Sequence, residues 1–175
     1  MASVSKTMKK IQLRDTPNDV VYTPLPVAEL MIKICDIKDG DTVLDPSRGK
    51  GVFYDNLPSG CIKSYCEITD GKDFFNCNER YDLIIGNPPF SMWNKWLEHT
   101  MKLTDKFCYI MGIINMNEKR LDYIFKNGFG LTHMHLLTVK SWFACSIICV
   151  FEKNKPSIMN VSPTAFKDPI KKAEL

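Results

Sequence analysis

A chain of 175 residues with 45% hydrophobic and 25% charged residues has the length and composition of one globular domain with its own core. Its 23 Lys and Arg against 20 Asp and Glu leave a net charge of +3, which permits a polyanionic partner but falls short of an obligate nucleic-acid binder's basic footprint. Seven cysteines, an odd number without a Cys-x-x-Cys pair, argue against disulfides and zinc and read as small buried hydrophobes of a reducing compartment.

Residues 1–20 are polar, carry Lys6, Lys9, Lys10 and Arg14, and read as an N-terminal arm. They contain no signal-peptide core, and no later run reaches membrane-spanning length. The expected setting is intracellular, cytoplasmic or nuclear, not secreted and without a membrane partner. From Thr23, apolar Val27, Leu30, Met31 and Ile34 fall at helical spacing, with Thr23 as N-cap and Pro24 at the first helical position.

Four short blocks then read as strands: 42–45, 62–68, 81–86 and 107–114. A glycine-punctuated loop and a short helix separate the first two. Helices are expected over 91–103, with Met92, Trp96 and Leu103 on one side, and over 117–128, stopped by Gly128. Strands alternating with helices imply a mostly parallel sheet covered on both faces. Residues 131–139 and 144–152 are β-rich runs separated only by "KSWF", too short for a helical crossover, and should pair as an antiparallel hairpin. The domain thus spans 21–152, followed by a loosely packed extension over 153–175 and no separate target-recognition domain.

In open α/β sheets, ligands bind beyond the carboxyl ends of the strands. Here the first strand ends in Asp45 and runs into Pro46-Ser47-Arg48-Gly49-Lys50-Gly51. That loop is neither a P-loop nor a complete dinucleotide fingerprint, and two glycines after a strand are as often a plain turn. It suits a nucleoside with little phosphate, approached closely by backbone. Glu67, near the end of the second strand, stands where an acidic residue meets a ribose, its alternative being a solvated carboxylate.

The third strand runs straight into Asn87-Pro88-Pro89-Phe90. Proline fixes its own φ and holds the preceding residue extended. The Asn87 side chain and the Pro88 carbonyl therefore form a stiff pair of acceptors with Phe90 as a flat face beside them. Such a fork suits a planar ring with an amino group: gripping both hydrogens aims the nitrogen lone pair at an electrophile. No strong base is needed, because the alkylated ammonium loses its proton readily. Pro-Pro alone would read as a strand-ending turn.

These residues resemble the amino-group methyltransferases that use S-adenosylmethionine, over roughly 21–151. "VLDPSRGKG" (43–51) looks like their Asp-Pro-x-x-Gly-x-Gly cofactor loop, and "NPPF" (87–90) like their catalytic [Asp/Asn]-Pro-Pro-[Tyr/Phe] motif. "YTP" (22–24) is similar to the Thr-Pro element that the DNA adenine branch places upstream. The resemblance implies a class I Rossmann-like α/β fold: a mostly parallel seven-stranded sheet with a C-terminal antiparallel hairpin and helices on both faces. It implies S-adenosylmethionine as cofactor and adenine in DNA, more than RNA, as methyl acceptor.

Carried over, the resemblance places Tyr22 and Thr23 at the methionine end of the cofactor. Asp45, Pro46, Gly49 and Gly51 hold its amino group or let backbone approach. Glu67 takes the ribose, Asp73 and Phe74 the adenine, and Asn87, Pro88, Pro89 and Phe90 the target amine. Only 20 residues separate "NPPF" from "MGII", too few for the family's usual recognition insert, so specificity is expected from a dimer mate, a protein partner or a single-stranded substrate. Arg48 and Lys50 replace the usual small residues and face the cofactor carboxylate, acceptor phosphates or solvent.

Lys50, Lys95, Lys140, Trp142 and Phe143 are candidates for a nucleic-acid groove, the two aromatics equally for hairpin core. His133 and His135 alternate on one strand face without a third ligand and read as structural or exposed. Other readings keep the chemistry on RNA adenine or a protein glutamine amide, or make the chain a catalytically silent cofactor-binding subunit.

Overall fold

The computed structural model describes residues 21–139, 142 and 145–161. The arm over 1–20, Lys140, Phe143 and the last part of the extension lie outside the described residues. Among those described, six strands form one mixed sheet in the order β2-β1-β3-β4-β6-β5. Strands β1 (Thr42–Asp45), β2 (Ile62–Tyr65), β3 (Leu83–Gly86) and β4 (Lys106–Gly112) run parallel. β6 (Ser146–Lys153) lies antiparallel between β4 and β5 (Phe129–Leu137), so the expected hairpin forms with its second strand inside.

Alternation along the strands divides the core in two. Leu44, Ile84, Phe107, Tyr109, Cys149 and Phe151 face α2 (Trp93–Leu103) and α3 (Glu118–Lys126). Val43, Leu83, Ile85, Cys108, Ile110, Ile148 and Val150 face α1 (Leu25–Cys35). Burial on both faces explains why β3 is apolar throughout. In α2, Trp93, Trp96, Leu97, Thr100 and Met101 make the buried stripe. Met92, expected on that side, is instead exposed on a one-turn 3-10 stretch, Phe90–Met92. The Asn117 side chain accepts from the Arg120 N–H at 3.0 Å to start α3, and Gly128 at φ +85° follows its end. Five of the seven cysteines are buried and all are free thiols.

The seven-stranded expectation is corrected to six strands among the described residues. Between β2 and β3, residues 66–82 hold only two one-turn stretches, Ile68–Asp70 and Phe74–Asn76, which is too little chain for a crossover helix and a further strand. β2 is consequently an edge. The helix expected between β1 and β2 contracts likewise to Tyr54–Asn56. The first helix starts one residue late, with extended Pro24 as N-cap and Thr23 buried beneath it.

The extension is docked as far as Val161. The Ile158 N–H donates to the Leu131 carbonyl at 2.9 Å, and Met159 and Val161 pack on the α2/α3 side of the core. No described helix is long and apolar enough to cross a membrane.

Candidate functional site

The chain leaves β1 for β2 on one side and later returns to β3 on the other, so the strand order reverses between β1 and β3. A crevice at the carboxyl ends of those strands is the expected ligand position. It is there, as a pocket of about 840 Å³. Tyr22, Thr23, Pro46, Gly49, Glu67, Asp73, Phe74, Asn87 and Pro89 line it, as do Lys50, Met92 and Trp96. Asp45, Gly51, Pro88 and Phe90 do not.

Asp45 stands behind the wall, wholly buried. Its Oδ1 accepts from the Ser47 N–H at 3.2 Å and its Oδ2 from the Tyr54 N–H at 3.3 Å, bracing the glycine loop from inside. Burial pushes this carboxyl up to about 7, against the pull of those two backbone bonds. Gly86 lets the two strand ends meet: a Cβ there would press on Pro46 Cδ at 3.1 Å. The Ser47 hydroxyl then bonds the Asn87 carbonyl at 3.3 Å, tying the glycine loop to the Asn-Pro-Pro loop.

Gly49 sits at φ +51°, and its N–H donates to Glu67 Oε2 at 2.8 Å. Glu67 Oε1 accepts from the Thr69 N–H at 3.1 Å and hydroxyl at 2.9 Å. Burial alone would raise Glu67, but the bonds from Thr69 and Gly49 outweigh it and hold the carboxyl below its ordinary range. It is a fixed anion on the pocket wall. Asp73 Oδ1 accepts from the Phe75 N–H at 3.0 Å, and the Phe74 ring lies 4.5 Å from Trp96 and 4.8 Å from His99, an aromatic end to the cavity.

Gly51 has a different role from the expected one. At φ +84° it lies away from the cavity, and the space beside it holds the Arg48–Asp55 ion pair, 3.2 Å apart. Arg48 also lies over Tyr65 at 4.8 Å and Tyr54 at 5.3 Å, so the loop's own neighbours take up this guanidinium.

Arg48 Nε and Trp96 Nε1 are buried unpaired donors on the wall, and Asn87 carries a buried unpaired acceptor there. Its Nδ2 donates to the Val21 carbonyl at 2.9 Å, while Oδ1 is buried without a hydrogen-bond partner. A buried unpaired acceptor costs about 1–3 kcal/mol, which a ligand N–H would recover. Phe90 is partly exposed and outside the lining, so Pro89, Met92 and Trp96 supply the apolar surface on this side. Val21 and Trp96 are site residues that the sequence did not single out. Val21 acts through a carbonyl that any residue would supply, and Trp96 sits on a helix face that also reads as core.

Of the proposed groove, Lys50 and Lys95 are exposed, and Trp142 packs against the α1 side of the core. His133 and His135 are exposed on β5, and no described cluster of three His, Cys, Asp or Glu side chains is placed to hold a metal.

No family model matches the chain. Two type II methyltransferases of Haemophilus influenzae, M.HincII and M.HindII, are each 31% identical over 90 residues, covering 44% of this chain. The chain spans only 18% and 17% of those relatives' own lengths. Among solved structures, magnesium protoporphyrin IX methyltransferase from Synechocystis, with bound S-adenosylmethionine, superposes with a TM-score of 0.60 at 14% identity, over 73% of this chain and 76% of that one. A type I restriction-modification methyltransferase subunit from Streptococcus thermophilus gives 0.58 at 16% identity, over 77% and 45%. The fold is that of the class I methyltransferases.

Proposed function

We propose that the chain binds S-adenosylmethionine in this pocket and transfers its methyl group to the exocyclic amine of adenine in DNA. The observation that carries the reading is Asn87 Oδ1, a buried acceptor without a partner on the wall of a pocket that also holds Glu67 and an aromatic end. The match to two type II methyltransferases and the shared fold with a restriction-modification subunit support DNA as the acceptor.

The residues fit such a cofactor. Phe74, Phe75 and Trp96 offer flat apolar surface for a purine, Asp73 an acceptor for its amine, and Glu67 a charged acceptor whose Oε2 has room for a ribose hydroxyl. Gly49 lets the loop backbone approach. When bound, the cofactor supplies a methyl group on a positively charged sulfur. Asn87 Oδ1 accepts a hydrogen bond from the target amine N–H and so turns the nitrogen lone pair out of conjugation. The Val21 bond to Nδ2 keeps the amide from rotating away. Asn87 removes no proton, because the methylated nitrogen releases one to solvent. An adenine in a duplex must leave the stack to reach this wall. The short stretch between Phe90 and Met111 leaves no room there for a recognition insert, so sequence specificity would be read elsewhere, by a partner, a second copy or the choice of a single-stranded substrate.

A filter assay with methyl-labelled cofactor, offering DNA and RNA, tests this. Transfer to DNA is expected, and Asn87→Ala should lower its rate by about a hundredfold or more while cofactor affinity changes little. Transfer only to RNA, or a variant as fast as wild type, would refute the reading.

A further inference from the structure

Three cations stand around the pocket, and they are not equivalent. Arg48 is engaged by Asp55 and two tyrosine rings. Lys72 lies 3.8 Å from the Tyr65 centroid, beside the Glu67 and Asp73 end. Lys50 is exposed on the rim, 4.5 Å from the Tyr22 centroid, and no described carboxylate pairs with it.

The glycine loop has little left with which to hold an anion. The Ser47 N–H is spent on Asp45, Arg48 N–H on the Cys66 carbonyl at 2.9 Å, Gly49 N–H on Glu67 and Gly51 N–H on the Arg48 carbonyl at 2.8 Å. Pro46 has no N–H. Four of the backbone amides that could cradle an anion after the first strand are thus committed inside the protein. An anionic group arriving at this loop therefore finds few backbone donors and calls for a side chain.

Geometry also decides which part of the ligand arrives there. With the nucleoside against Phe74 and Trp96 and its ribose on Glu67, and with the acceptor amine on Asn87, two sides of the pocket are taken. The third substituent on the same sulfur, the amino-acid tail, would then be left to the remaining lining residues, Tyr22, Thr23 and the loop. Lys50 belongs to that loop.

We infer that Lys50, steadied on the Tyr22 ring, is the cation that recognises the carboxylate of the cofactor's amino-acid tail. This rests on the proposed reading of the pocket. It makes Lys50 the residue that separates the full cofactor from ligands lacking a carboxylate.

The test is calorimetry, without nucleic acid, of S-adenosylhomocysteine and its decarboxylated analogue binding to wild type, Lys50→Met, Lys50→Arg and Lys63→Met. Lys63 lies over Tyr54 outside the lining, so its variant removes the same charge elsewhere. Lys50→Met should bind S-adenosylhomocysteine about fivefold more weakly, the size of a partly exposed ion pair, and the analogue unchanged. Lys50→Arg should restore the preference, and Lys63→Met should leave it intact. If Lys50→Met weakens both ligands alike or neither, the inference is wrong. So it is if that variant keeps its affinity for S-adenosylhomocysteine and, in a second titration with a short DNA oligonucleotide, loses nucleic-acid binding, which would assign Lys50 to an acceptor phosphate. Wild type binding neither ligand would overturn the pocket reading itself.

Discussion

Asn87 Nδ2 is held by the carbonyl of Val21, 66 positions away, and that bond settles which end of the amide faces the cavity. Had the amide turned over, a donor would point at the ligand and the site would repel an amine. Asp45 invites a pH experiment. Burial raises it from 3.8 in an unfolded chain to about 7, so the folded state holds an extra proton between those values. Its stabilising share is whole below about pH 4 and is lost as pH rises through about 7. Asp45→Asn should therefore lose less stability than wild type between about pH 5 and 8, measured as urea midpoints; parallel curves would contradict the assignment. Gly51→Ala forces φ +84° on alanine and drives a methyl into the Asp55 carboxylate. It should cost about 1–2 kcal/mol in chemical denaturation.

At the scale of elements, both edges of the sheet are finished by something other than a strand. At β2, Lys63 lies over Tyr54, Arg48 near Tyr54 and Tyr65, and Lys72 over Tyr65, while the two rings meet edge-on at 5.0 Å. Cations alternating with aromatics blunt an edge that the short β2–β3 connection leaves open. At β5, the segment after β6 turns back: the Asn154 N–H bonds the Gly128 carbonyl at 2.8 Å, and Lys155 and Pro156 press onto Gly130. A side chain at 130 would run into the Lys155 carbonyl. Gly130→Ala should therefore loosen this strap and lower stability by about 1–3 kcal/mol in urea unfolding. Full stability would show that the strap contributes nothing.

Over the whole molecule, the pocket draws its walls from residues 21–25, 46–56, 67–75 and 87–96, so a ligand there clamps segments that otherwise separate on unfolding. S-adenosylhomocysteine at a hundred times its dissociation constant should add about 2.7 kcal/mol and raise the melting temperature by roughly 5–10 °C. A melting temperature indifferent to the ligand would argue against the site. Most of the fold was legible beforehand because its signals are short-range. The apolar blocks around 42–45, 83–86 and 107–112, the Asn117 cap and the Gly128 stop each act within a few residues of themselves. The site was legible in part, since Asp-Pro and Asn-Pro-Pro announce stiff loops at strand ends.

The amino-acid order by itself determined the alternating plan, the terminal hairpin and the two loops that meet at the switch point, because strand period, turn chemistry and proline stiffness are local properties. Tertiary structure alone decided that Asp45 braces the loop from behind, that Phe90 stands outside the lining while Trp96 enters it, that Arg48 is spent on Asp55, and that six strands are described where seven were expected. Each of these depends on the distance between segments remote along the chain, and packing, not local preference, sets that distance.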